Sequence, residues 1–97
     1  MSEFSLFATI TPKPAHYADA LAALQGIIAQ TRAEPGCLRF ELNTGQGGDA
    51  NLYLVEHWAS PQALDEHYAQ PYSAAVFEAY QDWLAMTPKI VKMDRNS

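Results

Sequence analysis

Tyr53-Leu54-Val55-Glu56-His57-Trp58-Ala59-Ser60-Pro61-Gln62-Ala63-Leu64-Asp65-Glu66-His67 reads as a strand that runs straight into a helix. Tyr53, Leu54 and Val55 suit a pleated surface. Ser60 is placed to accept a backbone N–H as N-cap. Pro61 fits the first helical position, where a missing N–H costs nothing. Neighbours on a strand point to opposite faces, so Leu54, Glu56 and Trp58 share one face and Tyr53, Val55 and His57 the other. On the helix, Leu64, His67 and Tyr68 stand three and four apart, on one side. A carboxylate, an indole and an imidazole therefore gather where a sheet meets its covering helix. The grouping is either a reactive pocket or a polar patch inside a small core.

Upstream, the loop 45–51 is rich in glycine, asparagine and aspartate, so strands over 37–44 and 52–59 form an antiparallel hairpin. The alternation of Phe4, Leu6, Ala8 and Ile10 with Ser5, Phe7, Thr9 and Thr11 predicts a first strand over 4–11, ended by Pro12 and Pro14. Tyr17, Ala20, Leu21, Leu24, Ile27 and Ile28 keep a helical spacing that predicts one helix over 15–33, with Gly26 weakening it. Glu34-Pro35-Gly36 stops that helix. Downstream, a helix over 61–69 is broken or kinked at Pro71 and resumes over 73–84. A short last strand occupies 89–94.

The order β-α-β-β-α-β predicts an α+β, ferredoxin-like split βαβ sheet in one domain spanning 1–97. Helices in that layout cover one sheet face. Both alternating sets carry apolar residues, so the pattern leaves open which set faces the helices. The uncovered face would expose a large apolar patch, which predicts a homodimer joined through bare sheet faces.

With six basic residues against eleven acidic ones, the formal net charge is −5. Phosphate backbones attract basic surfaces, so no nucleic-acid partner is expected, and no polybasic membrane patch is present. No apolar run approaches the roughly 20 residues that span a bilayer, and the N-terminus lacks the positive charge of a signal peptide. Cys37 is the single cysteine, so no internal disulfide is expected and the reading is a cytoplasmic protein. His16, His57 and His67 show no metal-ligand spacing, and the glycines at 45, 47 and 48 do not open a helix. Neither a metal site nor a phosphate-binding loop is expected.

Glu34-Pro35-Gly36-Cys37 with Phe40 and Leu42, then Leu54-Val55-Glu56-His57-Trp58, Ser60, Ala63-Leu64, His67 and Phe77, resemble the antibiotic biosynthesis monooxygenase family, which includes small quinol monooxygenases. The resemblance covers nearly the whole chain and implies a dimeric α+β barrel with a pocket between helices and sheet in each subunit. It also implies cofactor-independent oxidation of a small aromatic quinol or phenol by dioxygen, with neither metal nor flavin. Such chemistry needs a base, charge stabilisation and a dry cavity. Haem-degrading relatives place an asparagine on the first strand, and residues 4–11 contain none, which counts against a haem substrate.

On that reading His67 is the proton-transfer group, since imidazole titrates near neutrality, and Glu56 orients it or acts as the base itself. Trp58, Tyr72 and Phe77 form the substrate-binding set, with Trp58 and Tyr72 flanking a flat ring. Each residue also has a structural reading: His67 a satisfied half-buried histidine, Glu56 a partner of an arginine such as Arg39 or of backbone across the subunit boundary, Trp58 and Tyr72 core fillers, Cys37 a packing residue. Two other functions use the same residues: an isomerase or lyase of a small carbonyl compound, and a non-catalytic dimeric ligand-binding, stress-associated module.

Overall fold

The computed structural model describes residues 2–97. Strand β1 (Phe4–Ile10) leads through a 3-10 turn (Pro14–His16) into α1 (Tyr17–Gln25) and α2 (Ile28–Arg32). Strands β2 (Cys37–Thr44) and β3 (Leu52–Trp58) follow, then α3 (Pro61–Tyr68), α4 (Pro71–Trp83) and β4 (Lys89–Met93). The sheet order is β2-β3-β1-β4, and every neighbouring pair is antiparallel. This is the expected ferredoxin-like α+β arrangement.

Register settles which alternating set the helices cover. Leu6, Ala8 and Ile10 of β1 lie opposite Glu56, Leu54 and Leu52 of β3, and all six are buried. Phe40 of β2 extends the Glu56 row and is buried too. The apolar members of these rows pack with Ala20, Leu24, Leu64, Val76 and Tyr80 from the helices into one core. The other set runs in rows across the open face, the middle one being Glu41–Val55–Phe7–Val91. Phe7 stacks on Tyr53 there with ring centroids 5.8 Å apart.

The region expected as one helix over 15–33 is divided. Ile27 adopts φ −107°, ψ 0°, and its N–H reaches back three residues to Leu24 O at 3.2 Å. Gly26, the weakest helix former in the segment, directly precedes this tightened turn. The offset sends both Leu24 and Ile27 into the core. At Pro71 the outcome is a fresh start: Gln70 is extended (φ −66°, ψ 141°) and Pro71 opens α4, as a residue before proline favours. Ser60 Oγ caps α3 by accepting from Ala63 N at 3.1 Å.

The turn before β2 presses onto α3. A Cβ at Gly36 would stand 2.3 Å from the Ala63 Cβ, and Gly36 O accepts from Ala59 N at 2.9 Å. Only glycine permits that approach. One helical turn beyond Ala63 comes His67, so the contact brings Glu34 alongside it.

Candidate functional site

A small cavity of about 40 Å3, partly open to solvent, lies between the covered sheet face and the helices. Its floor is Leu6, Ala8, Ile10, Phe40, Leu54 and Glu56; its roof includes Leu24, Ile27, His67, Tyr68, Ser73, Val76 and Tyr80. Phe77 and Ile90 also line it and are 41% and 46% exposed, so the opening lies between α4 and β4. Most of the wall is aliphatic, and the polar groups are few, the usual character of a small-molecule pocket.

Glu56 is the polar group of the floor. It is 5% exposed and flanked in its row by Phe40 and Leu6. Trp58, two residues on and therefore on the same face, donates from Nε1 to Glu56 Oε1 at 2.9 Å. Burial pushes the Glu56 carboxyl up to about 7, against the lowering pull of that hydrogen bond. Desolvation dominates because one neutral donor does not replace the lost water shell.

His67 is the polar group of the roof and is 4% exposed. Aromatic rings surround it: Trp58 at 4.9 Å between centroids, Phe40 at 5.7 Å and Tyr68 at 5.8 Å. Its Nδ1 lies 2.9 Å from Glu34 Oε2. The Tyr72 hydroxyl donates to the same oxygen and stands 3.3 Å from Gln30 O. Ser73 Oγ is 3.5 Å from Nδ1, at the limit of hydrogen-bond reach. The Tyr72 phenol is pushed up to about 12, by burial first and then by its bond to Glu34. Tyr68 is pushed up to about 12 by burial, with Glu56 and Asp65 adding to it, and burial raises Tyr80 as well. All three phenols therefore keep their protons at neutral pH and can donate.

Of the residues singled out in the sequence, Glu56, His67 and Phe77 meet at the cavity. Trp58 is fully buried behind Glu56, and Tyr72 reaches Glu34 on the outer side of His67. Neither Trp58 nor Tyr72 is part of the cavity wall. Glu56 does not touch Arg39, which pairs with Glu41 at 2.9 Å. Nor does Glu56 orient His67; Glu34 holds that nitrogen. Sequence reasoning gave no site role to Glu34, read there as a helix stop and as part of the family motif, nor to Ser73, Tyr68 and Tyr80. The signal for the last three was helical spacing onto the His67 side. Among the described residues, no group of three or more His, Cys, Asp or Glu side chains could hold a metal ion, and no helix is long and apolar enough to cross a membrane.

Residues 4–83 match the antibiotic biosynthesis monooxygenase family. A Mycobacterium tuberculosis protein bearing the name "Putative monooxygenase Rv0793" is 36% identical over 72 residues, 73% of this chain and 69% of that one. Its solved structure superposes with a TM-score of 0.92 at 26% identity, covering 99% of this chain and 97% of that one. The solved structure of PA3566 from Pseudomonas aeruginosa gives a TM-score of 0.92 at 27% identity, covering 100% and 97%. An uncharacterized Synechocystis protein is 31% identical over 81 residues, 84% of this chain; the chain spans only 55% of that relative's length.

Proposed function

This chain belongs to the antibiotic biosynthesis monooxygenase family, and on that premise we propose that it oxidises a small aromatic quinol or phenol with dioxygen, without metal or flavin. The observation that carries the reading is the convergence of two acid–base groups, Glu56 and His67, on one largely apolar cavity.

In this mechanism His67 takes the phenolic proton, and the phenolate passes an electron to dioxygen. The resulting radical pair joins in a C–O bond, giving a hydroperoxide. Loss of water from it leaves a quinone, so one oxygen atom enters the product and the other departs as water, carrying the proton that His67 returns. Glu56, titrating near 7, holds or supplies a proton at the opposite wall, where an acid–base group is most effective near its own pKa. Phe77 meets the ring at the mouth. Trp58 and Tyr72 serve from behind, holding Glu56 and Glu34. The aliphatic walls keep water from the radical pair.

The enzyme acts as a homodimer. The middle row of the open face presents Val55, Phe7 and Val91 side by side, and such a patch is stable when a second copy covers it. Its free thiol, Cys37, suits a reducing cytoplasm.

The test is turnover of a panel of hydroquinones and naphthols by metal-stripped protein, in air and under argon. The expected result is substrate loss that needs oxygen, one O2 per molecule oxidised. Equal loss under argon would make the protein an isomerase or lyase. Saturable binding without turnover in either gas would make it a ligand-binding module.

A further inference from the structure

We propose that Glu34 is a positioning residue: its carboxylate, gripped by Tyr72, keeps the proton of His67 on Nδ1 and leaves Nε2 bare toward the cavity. The proposal rests on the reading of His67 as the proton-transfer group.

With Glu34 as the carboxylate, the hydrogen bonds run in one direction. Tyr72 O–H and His67 Nδ1 both meet the same oxygen, Glu34 Oε2. Burial and Glu34 hold the Tyr72 proton in place, so Tyr72 donates and Oε2 accepts. An ionised carboxylate oxygen has two lone pairs and no proton to give, so Nδ1 must be the second donor. A neutral imidazole carries one N–H, and Nε2 is then the acceptor. The ring lines the cavity while Glu34 and Tyr72 do not. The Nδ1 edge is turned outward to Glu34, and the opposite edge is the one a substrate hydroxyl can reach.

The protein enforces this contact. Glu34 and His67 side chains are 10% and 5% exposed, so little water competes. The Glu34 backbone is anchored at both ends, its N–H on Thr31 O at 3.0 Å and its C=O on Cys37 N at 3.0 Å. The close approach of Gly36 to Ala63 sets the distance between the turn and α3. Once Nε2 takes a proton, the imidazolium faces a carboxylate that was already in position, so the transfer needs no rearrangement.

The experiment is long-range 1H–15N correlation of the imidazoles in 15N-labelled protein. The signals of His16, His57 and His67 are separated by comparison with His67→Ala. Wild type is expected to show neutral His67 with its proton on Nδ1. Glu34→Leu, which has no acceptor, is expected to move the proton to Nε2. Glu34→Gln keeps a carbonyl oxygen at the same reach and should keep the proton on Nδ1. A wild-type proton on Nε2, or no change in Glu34→Leu, overturns the proposal. In turnover assays Glu34→Leu should lose about 100-fold in kcat, the low end of acid–base contributions, with KM changed less than about two-fold. Glu34→Gln should recover most of that rate. Equal losses in both variants would point to a merely structural role and overturn the proposal. If His67→Ala retains turnover, it is the proton-transfer reading that fails, while the spectra still decide whether Glu34 sets the tautomer.

Discussion

Glu56 and His57 are adjacent in the chain and lie on opposite faces of one sheet. Glu56 enters the covered face, loses its water and has its carboxyl raised to about 7. His57 enters the open face, is about a third exposed, and pairs with Glu3 at 3.2 Å. One step along a strand separates a group with altered chemistry from an ordinary surface group. The difference lies in what covers each face. Over Glu56 stand α3 and α4 with an aromatic ring set around His67. On the His57 side, among the described residues, no helix covers the sheet. A slip of one residue in the β1–β3 register would exchange the two faces, putting an imidazole in the cavity floor and a carboxylate outside.

The sharpest way to break the comparison is to charge the open face. Phe7→Lys places an ammonium in the centre of the Val55–Phe7–Val91 row. An unpaired buried charge costs about 3–5 kcal/mol, so the dissociation constant of the proposed dimer should rise by roughly 100-fold or more. Sedimentation would show single chains with an unchanged far-UV spectrum. A dimer of unchanged affinity would mean that copies do not meet through this face.

A smaller effect probes the covered face. Glu56 binds its proton more tightly folded than unfolded, since its pKa rises from 4.5 to about 7. Between those values the native state holds more protons than the unfolded one, so stability falls as pH rises through the window and levels off above it. Ionised Glu56 is thus a destabilising group at pH 8. Glu56→Gln keeps an oxygen for the Trp58 indole and removes the charge. It should flatten the pH 5–7 slope and raise stability at pH 8 by about 1–3 kcal/mol, measured by urea unfolding. An unchanged slope would show that Glu56 is not desolvated.

These outcomes bear on what the sequence made legible. Strand alternation, the Ser60-Pro61 helix start and the Pro71 break were local signals, and each appears in the fold within a residue or two. Which alternating set is buried was not local. Phe7 and Val55 are as apolar as Ala8 and Leu54, and only the packing of α3 and α4 chooses between them. The divided first helix escaped because Gly26 remains helical while Ile27 carries the irregular backbone. In the site, His67 was legible as a polar residue on the core-facing side of a helix, and Glu56 as a strand carboxylate whose face the pattern left open. Their pairing was not. His67 joins Glu34, 33 residues earlier, through a turn whose position depends on the Gly36–Ala63 contact, and no local rule encodes that distance. Trp58 and Tyr72 were legible as aromatic neighbours of the site; that they stand behind its polar groups required the register and the helix packing.

On the proposed reading, His67 performs proton transfer in an oxygen-consuming reaction within this cavity. Its most direct test is oxygen uptake by wild type and His67→Ala with the same quinol, under metal-free conditions and with autoxidation subtracted. At least about a 100-fold loss of kcat is expected in His67→Ala, the scale of a removed acid–base group, with the folded spectrum retained. Uptake by His67→Ala at the wild-type rate would contradict it.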